Sequence, residues 1–420
     1  MLDLRLIRAE PDRVRAALAR RGGQHGLDAL ITLDEQCRRL RTEVEQTRAE
    51  RTHASKAIGE AKRAGQDASA AETDARALGE RLGAQEAELR ELEARRDDDL
   101  LALPNLAEGD APDGGEDDAV ELRAVGTIPT FDFPVRDHVD IGTASGTIDL
   151  ERGARTSGSR FVYLLGPMVR LQMALISFVV DLLEQEGFTP VIPPVLVREE
   201  AMYGTGFFPT DRSSIYQTAE DDLFLVGTSE VPLAAFHQDE ILDIESLPLR
   251  YAGVSSCFRR EAGAAGKDTR GMLRVHQFDK VEMFSFCHPD NSAQEHQVIL
   301  AMQERILQAL EIPYRVVDIA VGDLGASAAR KFDCEAWMPG QGKYREVTSG
   351  SNCTDYQARR LRCRFRSGKV TEPVHTLNGT AIALGRTMIA ILENHQRKDG
   401  SVAMPLALVQ HGAPAEIRPK

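Results

Sequence analysis

Between Leu30 and Leu103 the apolar positions recur in steps of three and four. Leu30, Leu33, Cys37, Leu40, Val44, Ala54, Ile58 and Ala61 form one stripe, and Gly65-Gln66-Asp67 breaks it. A second stripe runs through Ala71, Ala75, Leu78, Leu82, Leu89, Leu92 and Leu103, interrupted by Gln85, Arg96 and Asp99. This is a heptad seam on two long helices. Neither stripe is stable alone in water, so the pair is predicted to fold back as an antiparallel hairpin over about residues 27–103. At ~1.5 Å rise per residue, the first helix is roughly 55 Å long, too long for a compact domain to enclose, and the hairpin is expected to project as an arm.

Pro104-Asn105 ends the second stripe, and residues 108–118 are rich in Gly, Pro and Asp with little to bury. Residues 1–103 are accordingly read as an N-terminal domain, 104–126 as a linker and 127–420 as a second domain. In that second domain short β-branched runs alternate with amphipathic helices, such as Met168, Leu171, Leu175, Val179, Leu182 and Leu183 at helical spacing. The pattern predicts an α+β fold.

A length of 420 residues and 42% apolar content suit two domains with a substantial core. A net charge of −14 excludes a protein that binds nucleic acid through overall basicity and leaves room for a local basic face. The first arm helix supplies one, with Arg38, Arg39, Arg41, Arg48, Arg51, Lys56, Lys62 and Arg63, whereas the second carries Glu86, Glu88, Glu91 and Glu93. A dimerising coiled coil is the commoner use of heptads, but this asymmetry points to a phosphate backbone as partner, with Arg48, Arg51, Lys56, Lys62 and Arg63 as the contacting residues. Six scattered cysteines form no CxxC pair, so reduced thiols and no zinc are expected. The first residues lack an apolar signal core and no apolar run reaches membrane-spanning length, which implies a cytoplasmic protein with no membrane partner.

Chemistry concentrates in Phe258-Arg259-Arg260-Glu261, a Gly-rich loop, and Arg274-Val275-His276-Gln277-Phe278-Asp279-Lys280-Val281-Glu282. Two strands around that loop are expected to bring Arg259, Glu261, Phe278 and Glu282 to one cavity. There Arg forks onto phosphate, the ring stacks on a base and a carboxylate orients an ammonium or hydroxyl. Gly263-Ala264-Ala265-Gly266-Lys267-Asp268 is not a phosphate-binding P-loop, because Glu261 and Asp268 stand where Gly and Ser or Thr are required. Taken alone, the segment reads better as an ordinary surface hairpin with solvated charges.

Further motifs make it specific. Phe258-Arg259-Arg260-Glu261 with Phe278 resembles motif 2 of the class II aminoacyl-tRNA synthetases. Asn378-Gly379-Thr380-Ala381-Ile382-Ala383-Leu384-Gly385-Arg386 resembles motif 3, and Val191-Ile192-Pro193-Pro194 resembles motif 1. With Gly227-Thr228-Ser229-Glu230, Thr269-Arg270-Gly271, Ser351-Asn352-Cys353-Thr354 and the N-terminal hairpin, nearly the whole chain resembles the bacterial seryl-tRNA synthetase family. That resemblance implies a mostly antiparallel sheet flanked by helices, an arm gripping tRNA(Ser) and also tRNA(Sec), a homodimer through motif 1, and ATP-dependent activation of L-serine with Mg²⁺.

It also implies residue roles. Arg259 and Arg386 are the catalytic cations. ATP falls to Arg259, Arg260, Glu261, Val275, Phe278, Glu346, Val347, Thr348, Ser349 and Arg386, with adenine between Phe278 and Arg386 and Mg²⁺ on Glu346 and Ser349. Serine falls to Thr228, Ser229, Glu230, Arg259, Glu282, Asn378 and Thr380, the hydroxyl going to Glu282 and Thr380 and the ammonium to Thr228 and Glu230. Thr380 is additionally expected to cap a helix beginning near Ala381. Glu346 beside Arg345 also reads as a surface ion pair, and His276 as a structural hydrogen-bonding residue. Gly350, where the family carries Cys or Thr, is expected to loosen the nucleotide loop, and the carboxyl end lacks the family's Arg-Pro-Tyr run. The competing readings are a paralogue serving resistance or biosynthesis, a ligase loading a carrier protein, and a non-catalytic tRNA-binding paralogue. The basic arm and the retained Arg259, Glu261, Glu346, Ser349 and Arg386 argue against the latter two.

Overall fold

The structure, a computed structural model, describes residues 1–23, 25–262, 266, 268 and 270–420. It divides into a smaller unit, Leu2–Ala19 with Gly23–Pro104, and a larger one, Asn105–Lys420 with Met1 and Arg20–Gly22.

The smaller unit is built on helices α1 (Leu27–Arg63) and α2 (Ser69–Ala102). Asp28 in the first turn of α1 and Lys62 and Arg63 in its last turn complement the helix dipole. Gly65, at φ 70°, closes the helix, and Gln66 N–H donates to the Ala61 carbonyl at 2.9 Å, so the chain reverses into α2. Leu30, Leu33, Cys37, Leu40 and Val44 are buried, but Ala54, Ile58 and Ala61 are only half-buried and Ala71 is exposed. The interruption at Arg96 has a polar cause. Asp34 is buried in the same seam, takes two hydrogen bonds from Arg8 at 2.7 and 2.8 Å, and lies 3.2 Å from Arg38 and 3.9 Å from Arg96. The Arg8 hydrogen bonds hold its carboxyl below the usual carboxylate range.

Among its described residues the larger unit centres on an eight-stranded sheet. In chain order the strands are β1 (Val120–Val125), β2 (Thr189–Val191), β3 (Leu249–Phe258), β4 (Gln277–Cys287), β5 (Tyr314–Asp318), β6 (Arg330–Met338), β7 (Lys343–Thr354) and β8 (His375–Ala383). Their spatial order is β1-β5-β6-β7-β8-β4-β3-β2, antiparallel except for β2 on β3. Helices α3 (Pro167–Gln185), α4 (Ser292–Ala309) and α5 (Leu384–Asn394) bury Met168, Leu171, Val179, Ile299, Ile306 and Met388 in one continuous core with the sheet.

Two expectations change here. Residues from 105 onward are not a free linker. Asn105 is buried, its side-chain amide donates to the Cys353 and Ser327 carbonyls at 2.9 Å, and β1 is the edge strand of the sheet. An edge strand whose Val120 and Leu122 remain exposed carries no burial pattern to read. Gly350, in turn, does not loosen the sheet. It pairs with Gly379 across β7 and β8, where a Cβ would stand 3.2 Å from the Ile299 methyl group at Gly350 and 2.3 Å from it at Gly379. The two glycines let α4 lie close on the strands.

Candidate active site

Strands β3 and β4 carry the site's first layer. Phe258 faces Gln277 in register, Arg259 N–H donates to the His276 carbonyl at 2.9 Å, and His276 Nδ1 donates to the Arg259 carbonyl at 2.8 Å. His276 is thus the clasp at the strand ends. Alternation along β4 places Phe278, Lys280 and Glu282 on one face. Asp279 turns the other way and accepts from Gln172 at 2.7 Å and Ser256 at 2.5 Å. Strand β8 brings Thr380 opposite Glu282, next to a bulge, and the first turn of α5 brings Arg386.

Arg259, Glu261, Val275, Phe278, Glu346, Val347, Thr380 and Arg386 line one cavity, together with Lys280. The Arg259 guanidinium stands 5.3 Å from the Phe278 ring centroid, a cation–π distance. Arg386 is turned to Glu346 instead, donating to its carbonyl at 2.9 Å and lying 3.3 Å from its carboxylate. Partial loss of hydration at the cavity wall pushes the Glu346 carboxyl up, but Arg386, Lys331 and Arg259 together hold it below its ordinary value. Arg345, its sequence neighbour, pairs with Asp268 at 2.5 Å, and Glu261 accepts from Arg274 at 2.7 Å.

Deeper in, polar groups are paired in a dry setting. Lys280, 5% exposed, forms an ion pair with Glu282 and donates to Thr228 Oγ1 at 2.7 Å and Thr380 Oγ1 at 3.4 Å. Thr380 Oγ1 donates to Glu282 at 3.2 Å. The expected helix-capping role of Thr380 is therefore corrected: it lies within β8, and α5 begins at Leu384 after Ala383. Glu230 accepts from Gln357 at 2.7 Å, and Gln357 accepts from Thr376 at 2.9 Å. Burial, and then the Glu282 charge, push the Glu230 carboxyl up to about 7. Ser229 and Asn378 are buried, Ser229 Oγ donating to the Gly253 carbonyl at 3.4 Å and Asn378 Nδ2 to Cys353 Sγ at 3.8 Å.

Three residues expected at the nucleotide do not line the cavity. Arg260 is exposed and its N–H donates to the Ser214 carbonyl, Thr348 is buried opposite Cys334, and Ser349 is half-buried opposite Asp333. Gly263, Ala264, Ala265, Lys267 and Thr269 lie outside the described residues. Two residues the motifs left unassigned belong here. Period-two alternation from Phe278 to Glu282 was the available signal for Lys280; Gln357 offered none, because α-helix Tyr356–Leu361 brings it to Glu230 from far along the chain.

On the arm, Arg48 pairs with Glu45 at 2.7 Å and with Glu86 at 2.8 Å, and Lys62 pairs with Glu72 at 2.5 Å. Arg51, Lys56 and Arg63 are exposed, and no ion pair among the described residues involves them. Among the described residues no helix is long and apolar enough to cross a membrane.

Residues 1–107 match the seryl-tRNA synthetase N-terminal domain family, and residues 213–395 match the tRNA synthetase class II core domain family for G, H, P, S and T. The serine–tRNA ligases of Acidothermus cellulolyticus and Nocardia farcinica are each 51% identical to this chain, over all of both proteins. Among solved structures, seryl-tRNA synthetase from Pyrococcus horikoshii complexed with ATP is similar at TM-score 0.95 and 43% identity over all of both chains. A cytoplasmic serine–tRNA ligase from Naegleria fowleri in complex with AMP is similar at TM-score 0.90 and 32% identity, covering all of this chain and 99% of that one. Similar along its whole length to enzymes of one activity, with both domain families in their order, the chain belongs to the serine–tRNA ligases.

Proposed function

We propose that the cavity activates L-serine with ATP and that the seryl group is then passed to tRNA(Ser), and also to tRNA(Sec). The observation that carries this is the convergence of two arginines, an aromatic ring and a dry, hydroxyl-matched end on one cavity. The serine carboxylate, already a nucleophile, attacks the α-phosphorus in line as pyrophosphate leaves, so no enzyme base is required. Arg259 holds carboxylate and α-phosphate together, Arg386 serves phosphate and adenine together, and both oppose charge that grows in the transition state. Phe278 takes the adenine face and Glu261 its amino group. Glu230 with Thr228 receives the ammonium, and Glu282 with Thr380 the hydroxyl. A terminal ribose hydroxyl of the tRNA then attacks the seryl carbonyl and AMP leaves.

Glu346 and Ser349 would hold Mg²⁺ through hard oxygens, Glu346 from the cavity wall and Ser349 from farther along β7, outside the cavity lining. Glu346 suits this, being exposed at the cavity mouth and held ionised by Arg386. When bound, the ion neutralises phosphate charge.

The arm, residues 27–103, is the tRNA-binding part, with Arg48, Arg51, Lys56, Lys62 and Arg63 on the phosphate backbone and the catalytic domain following it. A homodimer through residues 191–194 covers Ile192, which is 88% exposed, and the enzyme acts in the cytoplasm. Exchange of pyrophosphate into ATP, measured across all twenty amino acids, tests the reading: serine alone is expected to support it without tRNA, and exchange with a different amino acid refutes the assignment.

A further inference from the structure

We infer that Lys280 is the residue that sets side-chain selectivity, by neutralising Glu282 so that this carboxylate accepts a hydroxyl and refuses a cation. The inference rests on the proposed placement of the serine side chain at Glu282 and Thr380.

The pocket end contains two buried carboxylates, and serine brings one ammonium. Among the described residues no cation is bonded to Glu230; its partner is the neutral Gln357 amide at 2.7 Å. Glu282 has an ion pair with Lys280. The two carboxylates thus differ in kind: one lacks a cation and takes the α-ammonium as its counter-ion when serine enters, and the other is a charge already satisfied, keeping lone pairs for a neutral O–H donor. The threonines reinforce the division. Lys280 donates to Thr228 Oγ1 at 2.7 Å and to Thr380 Oγ1 at 3.4 Å, and Thr380 Oγ1 in turn donates a hydrogen bond to Glu282 at 3.2 Å. One ammonium therefore orients both hydroxyls and one carboxylate.

A neutral hydroxyl on the substrate Cβ meets a balanced ion pair. An amino group at the same place meets the Lys280 charge at close range with no free anion, in a site where Lys280 and Glu282 are 5% and 2% exposed and solvent screens little. An apolar methyl leaves the oriented polar groups without a partner. Lys280 acts on the substrate through Glu282 and the threonines and is a positioning residue; Arg259 and Arg386 remain the cations of the chemical step.

L-2,3-diaminopropionate, which replaces the serine hydroxyl by an amino group, is the probe. In the unaltered enzyme, at a pH that protonates that amine, it is expected to inhibit serine-dependent exchange no better than alanine does; binding tighter than serine overturns the inference, because Glu282 is then open to a cation. Lys280→Met frees Glu282. Its ratio of serine KM to diaminopropionate KM should rise at least about tenfold, with the KM for ATP unchanged. An unchanged ratio, or an equal loss for serine and ATP, overturns the inference. Lys280→Arg retains the charge and should restore serine preference. The wild-type inhibition measurement decides the matter even where Lys280→Met fails to fold. Failure of the unaltered enzyme to use serine at all refutes the site reading and leaves a different signature.

Discussion

Lysine, arginine and glutamate pair in both regions of this protein, with opposite consequences. On the arm, Arg48–Glu86 and Lys62–Glu72 lie along the outside of a hairpin, in water, where each pair holds little. In the catalytic unit, Lys280–Glu282 is shut among threonines, and neither member has solvent to fall back on. Pairing therefore says little by itself; burial decides whether a charge is a surface available to a polyanion or a fixed part of a pocket. The difference is open to four tests.

The largest effect is expected from breaking the buried pair alone. Glu282→Gln leaves the Lys280 ammonium uncompensated in a dry site and should destabilise the protein by about 3–5 kcal/mol in chemical denaturation. Glu86→Gln, its exposed counterpart, should leave the midpoint where it was. Equal midpoints for the two variants would remove the distinction.

Next comes Arg386→Ala, which is expected to lower serine-dependent exchange by about 10²–10³-fold with the melting temperature retained, as removal of one preorganised charge from a transition state does. Its neighbour Glu346 stands at the cavity mouth, so the fold does not depend on the pair. Activity near that of the unaltered enzyme would remove Arg386 from the mechanism.

The third test is pH. The Glu230 carboxyl, pushed up to about 7 by burial and by Glu282, keeps its proton in the folded state where the unfolded chain has lost it. Its contribution to stability is thus fully present below about pH 4.5 and fades as pH rises to about 7, by ~3 kcal/mol. Glu230→Gln removes that loss. The variant's advantage in melting temperature should grow between pH 4.5 and 7 and level off beyond; a constant difference would mean that Glu230 is ionised throughout.

What the sequence reveals follows the same division. The heptads of α1 and α2 and the alternation of β4 are local periodicities, and Arg259, Glu261, Phe278 and Arg386, which lie in short runs, line one cavity, whereas Glu282 is not among its lining residues. Contacts made across the chain were not legible. Gln357 reaches Glu230 over 127 positions, Asn105 reaches Cys353 over 248, and Gly350 and Gly379 matter only because Ile299 rests on both. Thr380 was misassigned to a cap because Thr near a helix start is a good cap on local grounds; the strand that holds it is defined by partners on β4 and β7.

The smallest effect returns to the arm. Five residues of its basic helix are expected to contact phosphate, and the ion pairs divide them. Arg48 and Lys62 already face Glu86 and Glu72, so binding a phosphate exchanges one anion for another, whereas among the described residues no ion pair involves Arg51, Lys56 or Arg63. Each contact of the second kind displaces a condensed counter-ion from the RNA and adds up to about one unit to the slope of log affinity against log salt. Replacing Arg51, Lys56 and Arg63 with Gln is therefore expected to raise the KM for tRNA and flatten that slope more, per residue, than replacing Arg48 and Lys62, while the KM values for serine and ATP in pyrophosphate exchange do not move. Equal slopes per residue would show that the glutamates yield freely to phosphate, and an unchanged slope in both would show that the basic face is not where the tRNA lies.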